Sequence, residues 1–134
     1  MSIIMAHSVL IIDDSILMRT ALKRTIENSD VGLDQIFEVE NGQQALDFLS
    51  SNTVGLILTD LNMPVMDGIE LIHRLKASNE YCDIPVIVIT TESSTSQIEN
   101  LKAEGIDDFL NKPFTSEEFK TVITRNLNAL AKTN

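Results

Sequence analysis

Five residues carry types that can do chemistry together: Asp13, Asp14, Asp60, Thr90 and Lys112. Each ends or follows a short apolar run. A lone carboxylate such as Asp60, placed straight after Gly55-Leu56-Ile57-Leu58-Thr59, is unfavourable beside a buried strand unless something compensates it. If one edge of a fold gathers these residues, three carboxylates share a small space with one hydroxyl and one ammonium. At an effective dielectric near 20, two unit charges about 4 Å apart repel by on the order of 4 kcal/mol. One lysine does not offset that, and a divalent cation does. A few carboxylate oxygens, with water in the remaining positions, suit Mg²⁺. Mg²⁺ held in this way works with phosphate groups. Lys112 then reads as a point charge for a phosphoryl oxygen and Thr90 as a hydroxyl donor to another. Asp60 becomes a candidate nucleophile able to carry a covalent phosphoryl group.

Each residue alone has a plainer reading. Asp13-Asp14 is a helix N-cap, Asp60 a turn residue before Met63-Pro64, and Lys112 a solvated surface lysine. The joint occurrence, each at the end of a different strand, points to a site.

The elements that must position these residues follow from hydrophobic period. Five short apolar runs read as strands: Val9–Ile12, Ile36–Val39, Gly55–Thr59, Pro85–Ile89 and Asp108–Leu110. Their mostly continuous apolar character suits strands covered on both faces. Helical spacing lies between them. Leu17, Ala21, Leu22 and Ile26 mark the first helix, within Ser15–Asn28. Ala45, Leu46 and Leu49 mark the second. Ile69, Ile72 and Leu75 mark the third, with Asp67 as N-cap. Ile98, Leu101 and Ala103 mark the fourth, ending near Gly105. The last helix opens on a Thr115/Glu118 capping box and continues with Phe119, Val122, Ile123, Leu127 and Leu130 as one stripe. Strand and helix alternate five times, which predicts an α/β fold: a doubly wound parallel sheet with helices on both faces. In such folds ligands bind beyond the carboxyl ends of the strands.

Composition narrows the class. A chain of 134 residues fits one domain. A net charge of −10 argues against nucleic acid and against an anionic membrane surface. The apolar runs are too short for a membrane span, and the N-terminus does not resemble a signal peptide. Cys82 is the only cysteine, so no internal disulfide forms, and a cytoplasmic location is expected. Cys82 reads as an incidental loop thiol. His7 and His73 have no ligand spacing to anything.

The sequence resembles response-regulator receiver domains, which take a phosphoryl group from a histidine kinase. The matching stretches are Ile12-Asp13-Asp14-Ser15, Asp60-Leu61-Asn62-Met63-Pro64-Val65-Met66-Asp67-Gly68, Ile89-Thr90 and Asn111-Lys112-Pro113-Phe114. The resemblance covers about residues 8–130 of a single domain spanning 1–134. It implies a flavodoxin-like (βα)5 fold with strand order 2-1-3-4-5. It implies that Asp60 is the phosphoacceptor, and that Asp14, Asp60 and the backbone carbonyl of Asn62 bind Mg²⁺ directly. Asp13 then acts mostly through water. Thr90 and Lys112 contact phosphoryl oxygens, and Thr90 and Phe109 form the switch pair. The Lys112-Pro113 peptide is expected to be cis.

Asp13-Asp14-Ser15-Ile16-Leu17-Met18-Arg19 is similar to the CheY-like single-domain chemotaxis regulators. That likeness implies a monomer with no output domain, docking a downstream protein on the face of the fourth helix, fifth strand and fifth helix. A flagellar motor switch is one such partner. Asn62 and Glu92 are the residue types that tune acyl-phosphate hydrolysis in these relatives, which implies a short-lived phosphorylated state. Thr91 stands where the family usually has a smaller residue, and Phe109 where CheY has tyrosine.

Other readings fit less well. A haloacid-dehalogenase-type phosphatase needs an aspartate two positions after its nucleophile, and Asn62 stands there. A receiver-shaped scaffold that is never phosphorylated would not need every site residue. A stand-alone relay to another histidine protein is hardly separable from the chemotaxis reading. In either case the chain is a self-phosphorylating, self-dephosphorylating phosphoacceptor and not a turnover enzyme.

Overall fold

A computed structural model describes residues 8–91 and 94–132. Strands β1 (Ser8–Ile12), β2 (Gln35–Val39), β3 (Leu56–Thr59), β4 (Val86–Thr90) and β5 (Asp108–Asn111) alternate with five helices. These are α1 (Ile16–Ser29), α2 (Gly42–Leu49), α3 (Gly68–Ala77), α4 (Thr95–Glu104) and α5 (Ser116–Lys132). All strand pairs are parallel and the order is β2-β1-β3-β4-β5, as expected. Among the described residues no helix is long and apolar enough to cross a membrane.

Side chains of a strand point alternately to the two sheet faces, so each inner strand feeds two cores. Leu10, Ile12, Ile57, Val86 and Val88 pack with Ala45, Leu49, Leu71, Ile72, Leu75, Ile98 and Leu101 from α2, α3 and α4. Val9, Ile11, Leu56, Leu58, Ile87 and Ile89 pack with Leu22 and Ile26 of α1 and Phe119, Val122 and Ile123 of α5. Strands β1, β3 and β4 are buried along their whole length, which explains their unbroken apolar runs. The edge strand β2 is only half-buried and keeps Glu38 and Gln35 outward.

Helix ends follow their capping chemistry. The side chains of Ser15, Asn41, Asp67 and Ser94 each accept a backbone N–H from the first turn of α1, α2, α3 and α4. At α5 the Thr115 hydroxyl accepts from Glu118 N–H, and the Glu118 carboxylate accepts from Thr115 N–H, completing the expected box. Gly105 ends α4 at φ +104°, a left-handed conformation that suits glycine.

Three helix stripes differ from the expected ones. In α1, Leu17 is 80% exposed and Ala21 also faces solvent. The inward stripe is Arg19, Leu22 and Ile26, with Met18 beside it. Leu17 and Ala21 form an apolar i, i+4 pair, yet a 3.6-residue period cannot bury positions 17, 19, 22 and 26 on one narrow face. In α3, Ile69 is largely exposed and Leu71 is buried instead; in α4, Ala103 is exposed. Leu130 in α5 lies outside the residues whose side chains are described.

Strand β5 is fastened to α5 by charge. Arg125 donates through Nε and Nη2 to Asp108 at 2.6 and 2.7 Å, and Asn126 Nδ2 donates to the same carboxylate at 2.9 Å. Burial alone would raise the Asp108 carboxyl, but the Arg125 fork, the Asn126 amide and the Phe109 N–H outweigh it and hold it below the ordinary range. A depressed carboxyl stabilises the fold above its unfolded value and loses that effect as pH falls through the folded one. Arg125 is more than half exposed, so solvent screens the pair. We expect Arg125→Ala to destabilise by up to about 1 kcal/mol at pH 7, an effect that fades in acid below the ordinary carboxylate value, measured by urea unfolding at both pH values.

Candidate functional site

Strand β1 is flanked by β2 on one side and β3 on the other, and the chain's winding reverses there. Connections leave on opposite faces at such a point, so a crevice opens beyond the carboxyl ends of β1 and β3. The residues after those strands form it. Asp60 N–H donates to Ile12 carbonyl oxygen at 3.0 Å, and Asp13 N–H to Val39 carbonyl oxygen at 3.2 Å. Both aspartates thus continue the ladders by one residue, and their backbones are held as firmly as the sheet.

Their side chains are held too. Asp13 is 3% exposed, and its Oδ1 accepts Ser15 N–H at 2.8 Å. Asp60 Oδ1 accepts Leu61 N–H at 2.7 Å. Asp14 stands exposed at the crevice mouth. One oxygen from each of Asp13, Asp14 and Asp60 lies within 4.8 Å of the others. Lys112 Nζ is 3.5 Å from Asp13 Oδ2 and 3.7 Å from Asp60 Oδ2. Lys112 arrives there because its N–H donates to Thr90 carbonyl oxygen at 2.9 Å, extending the β4–β5 pairing. Thr90 is fully buried at the end of β4. Burial raises the Asp60 carboxyl above its ordinary 3.8, Lys112 and the Leu61 N–H oppose this, and Asp13 adds to it.

The donor set fits Mg²⁺. It is all oxygen, carries three formal negative charges against one lysine, and has an exposed side at Asp14 for water. Asn62 is exposed in the loop after Asp60.

That loop is built by close approach. Gly68 N–H donates to Leu61 carbonyl oxygen at 2.8 Å. A Cβ on Gly68 would overlap the Asp60 carbonyl oxygen and sit 2.8 Å from Leu61 Cα. At the far end Gly42 N–H donates to Met66 carbonyl oxygen at 3.1 Å, where a Cβ would come within 2.9 Å of that oxygen. Between them Val65 adopts φ +68°, and Met66 N–H reaches back to Pro64 carbonyl oxygen at 2.7 Å. This is a tight three-residue turn, and a β-branched residue there is strained.

Phe109 is half-buried against the α2–α3–α4 core, with Lys102 Nζ of α4 5.7 Å from its ring centroid. The Lys112-Pro113 peptide is cis, and Phe114 beyond it stacks on Phe119 with centroids 5.7 Å apart. Thr91 is exposed on the loop after β4, and Glu92 and His7 lie outside the described residues. Cys82 and His73 stand away from the crevice: His73 lies on α3, with Nδ1 3.4 Å from Glu104.

Sequence reasoning gave no role to Arg19, Gly42 or Gly68. Arg19 had a readable signal, because it precedes Leu22 and Ile26 by three and seven residues and so shares their inward face. The glycines had none beyond Asp67-Gly68 opening a helix, since what they avoid is backbone distant in sequence.

Residues 9–124 match the family described as response regulator receiver domain. The chain belongs to the response-regulator receiver family. Its curated relatives include a chemotaxis protein CheY homolog of Campylobacter jejuni, 37% identical over 83% of this chain and 85% of the relative. The two-component response regulator ORR3 of Oryza sativa is 36% identical over 87% of this chain and 88% of its own. Among solved structures, the signal receiver domain of a histidine kinase from Syntrophus aciditrophicus superposes with a TM-score of 0.84. It is 32% identical and covers 96% of this chain and 95% of its own. The receiver family is a family of signalling phosphoacceptors, and its members serve in chemotaxis proteins, other response regulators and kinases alike.

Two outcomes are expected of this receiver's site. Gly68→Ala pushes Cβ into the Asp60–Leu61 backbone and destabilises by about 1–3 kcal/mol, read as a lower thermal midpoint. Asp60→Asn acts oppositely. A carboxyl raised by burial penalises the fold once pH exceeds its unfolded value, so removing it raises the midpoint at pH 7 without divalent cation. That gain disappears below about pH 3, where the acid is protonated in both states.

Proposed function

We propose that this receiver accepts a phosphoryl group on Asp60 from a histidine kinase and uses it to switch a docking face, in a chemotaxis pathway. The observation that carries the reading is the acidic crevice, with Lys112 within 4 Å of both Asp13 and Asp60. Similarity to CheY homologues supports the chemotaxis setting. The same reading makes the protein a cytoplasmic, monomeric phosphoacceptor domain and not a turnover enzyme.

Each residue has a defined task. The Asp60 carboxylate accepts the N–H groups of Leu61 and Asn62, and its Oδ2, 3.7 Å from Lys112 Nζ, is the oxygen assigned as the attacking atom. That oxygen forms a bond to phosphorus while the donor's N–P bond breaks and its electron pair returns to the imidazole. Lys112 and the Thr90 hydroxyl contact phosphoryl oxygens. Asp13, Asp14, Asp60 and the Asn62 carbonyl would hold Mg²⁺, which supplies the positive charge that lets a phosphoryl group enter an acidic crevice. Water brought to the same phosphorus reverses the modification, with Asn62, Thr91 and Glu92 tuning its access.

The new group adds a charge of about −1.5 to −2 and three acceptor oxygens. Thr90 turning toward it vacates space that half-buried Phe109 fills. Their movement alters the face of α4, β5 and α5, where the downstream partner docks, a flagellar motor switch or a relay protein.

Acetyl phosphate with and without Mg²⁺, followed by prompt intact-mass measurement, is the test. A Mg²⁺-dependent phosphoryl adduct is expected on the native protein and is absent from Asp60→Asn. No adduct on the native protein, even with beryllofluoride as a slow mimic, overturns the reading in favour of an unphosphorylated scaffold. For the switch, Phe109→Ala is expected to remove the affinity difference between resting and beryllofluoride-treated protein for its partner; an unchanged difference rules out that route.

A further inference from the structure

Arg19 has no part in the chemistry above, yet it is only 8% exposed. A guanidinium stays charged at any ordinary pH, so its burial demands partners. Two are present. Nη1 donates to the backbone carbonyl of Asp13 at 2.5 Å, and Nε donates to Glu38 of β2 at 3.2 Å. One side chain therefore bridges the loop between β1 and α1 to the edge strand.

The backbone contact has a specific consequence. The carbonyl of Asp13 and the N–H of Asp14 belong to one planar peptide. Fixing that carbonyl fixes the plane from which Asp14 leaves the loop. The other polar groups of Asp13 are already committed: its N–H to Val39, Oδ1 to Ser15 N–H, and Oδ2 facing Lys112. Asp14 is exposed, with no burial to hold it. We propose that Arg19 is a positioning residue for cation binding, orienting the Asp13–Asp14 peptide so that the Asp14 carboxylate faces Asp60; this rests on the reading that the acidic crevice holds Mg²⁺.

Charge and geometry act in opposite directions here. A bare cation near the cluster would weaken Mg²⁺ binding. Glu38 pairs with the guanidinium and offsets most of its field, so the geometric effect dominates. Removal of Arg19 therefore weakens binding. Loss of a group that orients a metal ligand commonly lowers affinity 10–100-fold.

The test is titration with MgCl₂ alone, followed by backbone-amide chemical shifts, on native protein, Arg19→Met, Arg19→Lys and Glu38→Gln, with thermal midpoints recorded for each. Arg19→Met is expected to raise the Mg²⁺ dissociation constant about tenfold. Its uptake of phosphoryl from acetyl phosphate is expected to recover at saturating Mg²⁺. Arg19→Lys keeps the charge but not the two-branched contact, and falls between; it decides the matter if Arg19→Met does not fold. Glu38→Gln leaves the Asp13 contact in place and only uncovers the guanidinium charge, so it raises the dissociation constant less than Arg19→Met does; an equal or larger rise makes charge rather than orientation the cause and overturns the proposal. A lowered midpoint with an unchanged dissociation constant in Arg19→Met, or in Arg19→Lys if only that variant folds, makes Arg19 a brace alone and overturns the proposal. Absence of any Mg²⁺-dependent shift in the native protein overturns the metal reading itself, and the proposal with it.

Discussion

Repulsion among three carboxylates is the constraint on which this structure turns. Two neighbouring parallel strands end at the same level, and the residues that follow them place Asp13, Asp14 and Asp60 oxygens within 4.8 Å. Nothing local favours that arrangement at neutral pH. It is imposed by a sheet whose inner strands are buried on both faces, with Leu10 and Ile12 in one core and Val9 and Ile11 in the other. The tension is partly relieved by Lys112 and by the backbone N–H groups of Ser15 and Leu61. What remains is an affinity for positive charge, and for a group that brings positive charge with it.

The loop from Asp60 to Gly68 shows how closely the surroundings conform. Gly42 and Gly68 let backbone approach backbone where a methyl group would not fit, and Val65 takes a strained left-handed conformation between them. Strain of this kind, of order 1–3 kcal/mol, persists only where the neighbours over-determine the backbone. Here they are α2 at one end and the acceptor strand at the other.

Much of this was legible in the sequence. Continuous apolar runs identified the strands, capping residues such as Asp67, Thr115 and Glu118 placed helix starts, and carboxylates at strand ends marked the crevice. The helix faces were less legible. Leu17 and Ile69 are apolar and at helical spacing, yet both face solvent, because period alone does not choose between adjacent stripes; in α1 the buried stripe also includes a charged residue, Arg19. Arg19 misled for that reason: its burial depends on Glu38 and on a carbonyl that only the folded chain brings near. The glycine contacts and the Val65 turn depend on backbone proximity across tens of residues, which composition does not encode.

The strand register has a consequence for the protein as a whole. Asp13, Asp60 and Lys112 each occupy the position directly after the last ladder pair of β1, β3 and β5. A one-residue slip in any pairing would turn that side chain to the opposite face. The crevice therefore exists only in chains whose whole sheet has assembled in one alignment. By mass action, anything that binds it draws the population toward that alignment and away from every mispaired alternative. A ligand of the crevice would thus also select for correctly folded chains.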